Sequence, residues 1–340
     1  MVRLIFPEFL KKGDLIGITA PSDGNDKDTD FARLNNGIRQ LEEKGYKVLE
    51  TKHVRSSDNG RSADAKTRAK EFIELISNDD VKAIFSASGG DYLLEILPYL
   101  DFDKIKNKPK WFQGYSDNTG LVHTITTMCD VATIYCNNFN DFGMKKWHKS
   151  VTNNLKMLEG EPLIQESFDK YQDGFYDRVT GLEEYVITKP VKWKNINCDQ
   201  EVVLKGRTIG GCLDVLTALV GTRFDKTKSF IEKYKEDGFI WYLESFNLPE
   251  PALTLALLQL REAGWFNNAK GFVFGRPTFY DESLNRPYEE VVMSVLGELD
   301  LPIILGADIG HKPPQFTMIN GGLATLYSKA GKGRLIYSFE

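Results

Sequence analysis

Short apolar runs alternate with helical spacings through the first half of the chain. Strands are predicted at Leu15 to Ala20, Tyr46 to Leu49, Val81 to Phe85 and Trp111 to Gly114. Apolar residues recur every three or four positions between Phe31 and Leu41, which predicts a helix, and a second helix is predicted with Ser62 as its cap. Strands separated by helices favour right-handed crossovers, a mostly parallel sheet, and ligands outside the carboxyl ends of the strands.

The second half has a different organisation. Between Lys145 and Val191 the periodicity weakens and polar, charged and aromatic residues mix. We therefore predict an N-terminal α/β domain at 1–150, a connecting segment at 151–195 and a C-terminal domain of mixed strands and helices at 196–340. The predicted C-terminal elements are a helix opened by Gly210-Gly211, a strand at Phe239 to Leu243, a helix at Pro251 to Ala263, strands at 272–274 and 303–306, and a terminal hairpin after Leu323.

Composition narrows the class of function. The 340 residues are 41% hydrophobic and 27% charged, which is enough for a folded core without disulfide or metal support. The formal charge of -5 argues against a nucleic-acid or anionic-membrane partner, since both favour a basic surface. No run reaches membrane-spanning length, and the four cysteines form no CxxC pair, so we expect a cytoplasmic protein with reduced thiols and neither metal nor cofactor.

Ser116 is the first candidate for chemistry. It lies in Gly114-Tyr115-Ser116-Asp117-Asn118, between an apolar strand and a predicted helix. A serine on a tight strand-to-helix turn has an exposed hydroxyl, and the backbone N–H groups that follow it face an oxyanion on the substrate. This pattern is typical of a nucleophile elbow.

A serine nucleophile needs a base, and four histidines are available. His53 and His148 lie in polar segments, where a solvated position is expected. His123 is seven residues after Ser116 on the same predicted helix, about 10 Å along its axis, and is interpreted as a packing residue. His311 follows a strand and the Gly-rich loop Gly306 to Gly310, which is where a base would be mounted.

Glu244 is the candidate for the acid that orients the base. It ends the apolar run Phe239 to Leu243, and a carboxylate at the end of a buried strand can hold an imidazole in the productive tautomer. A solvated acid at a strand end explains the same position equally well.

Five sequence blocks together resemble the LD-carboxypeptidase family of serine peptidases, which includes muramoyl-tetrapeptide carboxypeptidases and microcin C immunity peptidases. The blocks are Gly13 to Ser22, Ser88-Gly89-Gly90 with Leu97 to Asp101, Gly114 to Asp117, Gly210 to Leu213, and Gly306 to His311. The resemblance covers nearly the whole chain.

The resemblance implies a Ser–Glu–His triad at Ser116, Glu244 and His311, the three residues reached independently above. It also implies that backbone N–H groups of Gly89-Gly90 join that of Asp117 as an oxyanion hole, and that the protein is a homodimer. A turn that requires positive φ at the two glycines is compatible with the same sequence. The expected activity is hydrolysis of an amide through an acyl-enzyme.

Two substrate classes follow from the resemblance. One branch removes a terminal D-alanine from a tetrapeptide in peptidoglycan recycling, and the other cleaves an amide between an acidic amino acid and a modified nucleotide. The block Leu97 to Asp101 is closer to the microcin-type branch, which places a tryptophan before the Gly-Gly helix. Trp193 is the candidate to stack on a base, with packing as the alternative. Thr278 stands where an acidic residue would hold the substrate amine, a departure from the microcin pattern.

Two other functions agree with the residues by themselves. An α/β protein that binds a small molecule at the sheet edge would use Ser116 only as a hydrogen-bond donor. A serine esterase would use the same three residues on an ester.

Overall fold

The computed structural model describes residues 4–198 and 200–339, which form two compact units. The first unit comprises the described residues of Met1–Glu161, Tyr176–Tyr185 and Thr317–Ile319, and the second comprises Pro162–Phe175, Val186–Phe316 and Asn320–Glu340. The segment predicted as a connection, 151–195, is divided between the two units, because 151–161 and 176–185 belong to the first.

In the first unit, strands and helices alternate along the chain. The elements are β1 (Leu15–Thr19), α1 (Asp28–Glu43), β2 (Lys47–Glu50), α2 (Ala65–Ser77), β3 (Val81–Ser86), α3 (Phe102–Asn107), β4 (Trp111–Gly114), α4 (Thr119–Cys129), β5 (Thr133–Tyr135) and α5 (Lys149–Leu158). Short 3-10 helices lie at Lys52–Arg55, Leu93–Tyr99, Ser116–Asn118 and Phe139–Gly143.

The sheet of the first unit is built from parallel pairs. β1 pairs with β2 and β3, and β4 pairs with β3 and β5, all in parallel. β3 and β4 are almost entirely buried, as the apolar runs require. This arrangement confirms the predicted mostly parallel sheet. It places Ser116, the second residue after β4, at the carboxyl edge of that strand.

The second unit mixes short and long strands with helices. Its elements are β6 (Ile164–Glu166), β7 (Lys170–Tyr171), β8 (Lys189–Pro190), β9 (Lys194–Asn195), β10 (Val202–Cys212), α6 (Leu213–Leu219), α7 (Thr227–Lys233), β11 (Phe239–Glu244), α8 (Glu250–Glu262), β12 (Ala269–Gly275), α9 (Tyr288–Leu296), β13 (Ile303–Ala307), β15 (Leu323–Lys329) and β16 (Lys332–Ser338), with a 3-10 helix at Gly297–Leu299. The strand between β13 and β15, β14 (Met318–Asn320), joins the sheet of the first unit beside β5.

The larger sheet has the order β6-β16-β15-β10-β11-β12-β13-β9. Its centre is parallel, from β10 through β11 and β12 to β13, and its flanks are antiparallel. The parallel centre brings the carboxyl ends of β10, β11, β12 and β13 to one edge of the sheet. The antiparallel β15 and β16 form the predicted terminal hairpin.

Two local predictions were wrong. Ser62 does not cap α2, because its hydroxyl donates to the carbonyl of Ala20 at 2.7 Å, while the carboxylate of Asp64 accepts from the first turn of the helix. Gly210 and Gly211 lie in β10 and do not open the helix that follows. None of the described helices is long and apolar enough to cross a membrane.

Candidate active site

Ser116 adopts a strained backbone conformation between β4 and α4. Its φ is +67°, in the left-handed region that residues other than glycine seldom enter. The residue begins the 3-10 helix Ser116–Asn118, which runs directly into α4, and it is only half-buried. A strained serine at a strand-to-helix turn is the geometry of a nucleophile elbow.

Hydrogen bonds around the elbow hold this conformation. The side-chain amide of Asn118 donates to the carbonyls of Ser88 and Tyr115, both at 3.0 Å. The hydroxyl of Thr119 donates to the carbonyl of Ser116 at 2.7 Å. These contacts offset the unfavourable φ, so the turn stays fixed around the serine.

Gly89 lies against the serine side chain. A Cβ at this glycine would be 2.9 Å from the Cβ of Ser116, closer than real Cβ atoms approach, and 3.0 Å from its Oγ. A Cβ at Gly90 would lie 2.4 Å from the Oγ of Ser22. Neither glycine has a positive φ, so the alternative of a turn that requires positive φ at Gly89 and Gly90 is wrong. A side chain is excluded at these positions by the close approach of neighbouring atoms.

The carboxyl group of Asp117 is buried beside the elbow. It is 6% exposed, hydrogen-bonds with Ser22, and accepts from the backbone N–H of Leu93 at 3.4 Å. Burial raises the pKa of Asp117 to about 7, against the smaller opposing effect of these hydrogen bonds. The carboxyl therefore carries its proton in part at neutral pH.

In the second unit, the structure brings His311 and Glu244 together. The imidazole Nδ1 lies 3.0 Å from Oε2 of Glu244, and the two side chains are 5% and 0% exposed. A carboxylate accepts from Nδ1–H, and this tautomer places the lone pair of the imidazole on Nε2. The pair thus has the arrangement of a general base with its orienting acid, and the solvated alternative for Glu244 is wrong because the carboxylate is fully buried.

Gly310 allows this approach. Its φ is +91°, and a Cβ at this position would lie 2.7 Å from Oε2 of Glu244. Both the conformation and the space therefore require glycine immediately before the histidine.

A buried ion pair holds the loop that carries His311. Nη1 of Arg276 donates to Oδ1 of Asp308 at 2.9 Å, and Nη2 donates to the carbonyl of Lys312 at 2.7 Å. The guanidinium also lies over the ring of Tyr171, 4.4 Å from its centroid. Sequence reasoning missed Arg276 and Asp308; the only local signals were an arginine directly after a buried strand and an acid within the Gly-rich loop.

Trp193 is part of the same framework. It is 2% exposed, its Nε1 donates to Oδ2 of Asp308 at 3.0 Å, and its ring packs on Phe316 and Gly333. A ring enclosed in this way has no open face for a base. The structure therefore favours the packing alternative for Trp193.

Thr278 lies in the loop after β12, where its backbone N–H donates to the carbonyl of Ser245 at 3.1 Å. Ser245 directly follows Glu244, so Thr278 is held beside the base half-site. Within the described residues its buried hydroxyl oxygen has no hydrogen-bond partner.

The other histidines do not belong to these clusters. His123 is 1% exposed on α4, in agreement with a packing role. His53 pairs with Glu71 at 2.5 Å. His148 is not simply solvated, because it is half-buried, caps α5 through Ser150, and has its pKa lowered by burial. Residues 4–198 and 200–339 contain no group of three or more His, Cys, Asp or Glu arranged to hold a metal ion.

Two half-sites are thus defined. One is a strained serine beside glycine backbone, and the other is a buried imidazole with its carboxylate. Chemically, they are the parts of a serine hydrolase.

Comparison with known families gives two matches. Residues 16–136 match the model of the LD-carboxypeptidase N-terminal domain, and residues 205–326 match that of the LD-carboxypeptidase C-terminal domain. The matched ranges contain Ser116, Gly89, Glu244 and His311.

Individual relatives are similar over nearly their full length. The microcin C7 self-immunity protein MccF of Escherichia coli is 28% identical over 335 residues, 91% of this chain and 89% of that protein. A probable murein peptide carboxypeptidase of Bacillus subtilis is 24% identical, covering 94% of this chain and 91% of that protein. A structure of MccF in complex with aspartyl sulfamoyl adenosine has a TM-score of 0.79 and 26% identity, and 98% of each chain is covered.

The buried carboxyl of Asp117 predicts a pH dependence of stability. Its pKa is about 7 in the folded protein and 3.8 for the free side chain, so the protonated form favours folding. The protonated carboxyl contributes fully to the free energy of unfolding below about pH 4. This contribution is lost as the pH rises to 7 and above, which lowers the free energy of unfolding by about 4 kcal/mol. Asp117→Asn, which is neutral throughout, should flatten the free energy of unfolding over this interval, measured by urea denaturation at a series of pH values. The exposed Asp26→Asn is the control, and equal slopes in wild type and Asp117→Asn would contradict the assignment.

Gly310→Ala tests the close approach to Glu244. Gly221 is a matched control, because its φ is also positive, at +76°, but a Cβ there meets nothing within 4 Å. Gly221→Ala should therefore lose only the conformational term, about 1 kcal/mol in the free energy of unfolding. Gly310→Ala should lose about 1 to 3 kcal/mol more, since its methyl group displaces the carboxylate. Thermal and urea unfolding measure both losses, and equal losses would show that space is not limiting at Gly310.

Proposed function

The chain belongs to the LD-carboxypeptidase family of peptidases, and we propose that it hydrolyses an amide bond in a small peptide or peptide-like substrate through Ser116, Glu244 and His311. The observation that carries this proposal is the buried hydrogen bond between His311 and Glu244. This bond fixes the tautomer that a serine nucleophile requires of its base. The strained conformation of Ser116 supports the role of nucleophile in the same scheme.

In the proposed acylation step, Oγ of Ser116 attacks the carbonyl carbon of the amide while its proton passes to Nε2 of His311. The carboxylate of Glu244 stabilises the imidazolium that forms. The backbone N–H groups of Asp117 and of Gly89-Gly90 are the proposed donors to the oxyanion. When the tetrahedral intermediate collapses, the C–N bond breaks and His311 returns its proton to the leaving amine.

Deacylation repeats these steps with water as the nucleophile. His311 takes a proton from the water molecule, the hydroxide attacks the ester carbonyl of the acyl-enzyme, and the bond to Oγ of Ser116 breaks. The proton returns to the serine, so the products are a carboxylic acid and an amine. No cofactor enters the balance of this reaction.

The relatives suggest two classes of substrate. One relative is named a probable murein peptide carboxypeptidase, and the structure of another, MccF, contains aspartyl sulfamoyl adenosine. We propose Thr278 as a substrate contact, because it is held beside Glu244 through Ser245 and its hydroxyl has no partner among the described residues. A hydroxyl carries no charge for a substrate amine, which favours the peptide class over the acidic aminoacyl nucleotide.

Three finer expectations stay predictions. A homodimeric assembly and a role in peptidoglycan recycling follow from the resemblance, whereas the cytoplasmic location is expected from the sequence itself.

A fluorophosphonate probe tests the triad directly. Ser116→Ala should abolish covalent labelling, and His311→Ala should slow it strongly because the serine is no longer activated; turnover should fall by about 10³-fold or more in both. Ser77→Ala and His53→Ala are matched controls outside both half-sites and should label at the wild-type rate. Full turnover by Ser116→Ala would exclude this mechanism, and absence of labelling in the wild type would favour a binding protein.

A substrate panel tests the peptide class. We expect kcat/KM to be higher for a muramoyl tetrapeptide ending in D-alanine than for an aspartyl sulfamoyl adenosine or a simple ester. Thr278→Glu should raise kcat/KM for the aminoacyl nucleotide about tenfold, because a carboxylate can bind its amine, whereas the uncharged Thr278→Gln should not. Preference of the wild type for the aminoacyl nucleotide would reverse the assignment, and preference for the ester would identify an esterase.

A further inference from the structure

Asp214 binds the turn that follows Glu244. It lies in the first turn of α6, and its carboxylate accepts from two successive backbone N–H groups, those of Phe246 at 3.0 Å and Asn247 at 2.9 Å. The turn continues directly from the end of β11 at Glu244. Because one carboxylate holds two neighbouring peptide groups, the turn is fixed in both position and direction.

Phe246 connects this turn to the base. The centroid of its ring lies 4.5 Å from that of His311, with 44° between the ring planes. The imidazole is therefore held at its edge by Glu244 and on its face by Phe246. Glu244 fixes the edge of the imidazole, and the phenyl ring restricts its tilt by packing on its face.

Phe246 is itself braced on its other side. Its carbonyl accepts from the N–H of Phe279 at 2.9 Å, and the two rings make an edge contact at 5.1 Å. Phe175 packs against both rings, at centroid distances of 6.0 Å and 5.8 Å. Since Phe175 and Phe279 are more than half exposed, this brace is at the surface, whereas the carboxylate of Asp214 holds the backbone of the turn directly.

Cys212 links the same carboxylate to the strand beside Glu244. Its thiol donates to Oδ2 of Asp214 at 3.4 Å, and it is the register partner of Glu244 between β10 and β11. Burial, together with the charges of Glu244 and Asp214, raises the pKa of the thiol, so that it remains a donor. Asp214 is thus connected both to the strand end that carries the orienting acid and to the turn beyond it.

We propose that Asp214 is a positioning residue for catalysis: it holds Phe246 against the ring of His311 and so keeps the imidazole in the orientation in which Nε2 exchanges protons with Ser116 and the leaving amine. The inference rests on the proposed function, since it assigns to Asp214 a role in the same reaction. It requires no contact between Asp214 and the substrate.

This role makes a distinctive kinetic prediction. Misorientation of a base slows proton transfer and leaves substrate binding nearly unchanged. Asp214→Ala should therefore lower kcat about 10- to 100-fold and change KM by less than about threefold. Asp214→Asn keeps one acceptor oxygen for the two N–H groups, so its kcat should lie between those of wild type and Asp214→Ala.

The experiment measures kcat, KM and the rate of fluorophosphonate labelling in the full chain for Asp214→Ala, Asp214→Asn, Phe246→Ala and the Asp214→Ala/Phe246→Ala double variant. Because Asp214 acts through Phe246, the double variant should be no slower than the slower single variant. The matched control is Asp225→Ala, in the same unit, whose carboxylate accepts from the backbone N–H groups of Gly221 and Thr227. It should keep the wild-type kcat even where it lowers the thermal midpoint.

The outcomes separate the two proposals. An unchanged kcat in folded Asp214→Ala, a loss expressed only in KM, or additive losses in the double variant would each overturn the role of Asp214. If Asp214→Ala does not fold, a wild-type kcat and labelling rate in Asp214→Asn would overturn it. Ser116→Ala measured in the same series tests the proposed function separately. Inactive Ser116→Ala together with a wild-type kcat in Asp214→Ala overturns only the positioning role, whereas wild-type turnover by Ser116→Ala overturns the catalytic scheme itself.

Discussion

The hydrogen bond between His311 and Glu244 is the constraint on which the second unit is built. A fully buried carboxylate is unfavourable unless it is paired, and the imidazole supplies that partner at 3.0 Å. The parallel pairing of β10 through β13 brings the required groups to one edge, because Glu244 ends β11 and the loop of His311 follows β13. Gly310 then removes the side chain that would separate the two. The geometry of the base is therefore a consequence of sheet topology and of one glycine.

Buried polar groups recur around both half-sites, and several of them hold the backbone of the site in place. Arg276 neutralises Asp308 and holds the carbonyl of Lys312 beside the histidine. Asn118 donates to two carbonyls at the elbow and so offsets the left-handed φ of Ser116. Such networks are rigid because a displaced member leaves a buried donor or acceptor unpaired. Rigidity is what a serine mechanism needs, since its groups must be oriented before the substrate arrives.

Two buried groups outside the proposed triad have raised pKa values. Burial raises the pKa of both Asp117 and Cys212, so these groups retain protons where exposed counterparts would release them more readily. A protonated carboxyl at the elbow limits the negative charge next to the proposed oxyanion site, and a protonated thiol can donate to Asp214. Both effects arise from desolvation, so they depend on the packing around the sites as much as on the residues themselves.

The sequence by itself determined what depends on local spacing. Alternating apolar runs and helical spacings determined the parallel sheet of the first unit, and the short pattern around Ser116 indicated the elbow, because strand, turn and helix are encoded by neighbouring residues. Only the tertiary structure decided the pairings between distant segments. Asp214 meets Phe246 across 32 residues, Arg276 meets Asp308 across 32, and Trp193 meets Asp308 across 115. Such contacts depend on strand order and register, which no local pattern specifies. For this reason the sequence offered Trp193 as a stacking residue, whereas the fold buries its ring.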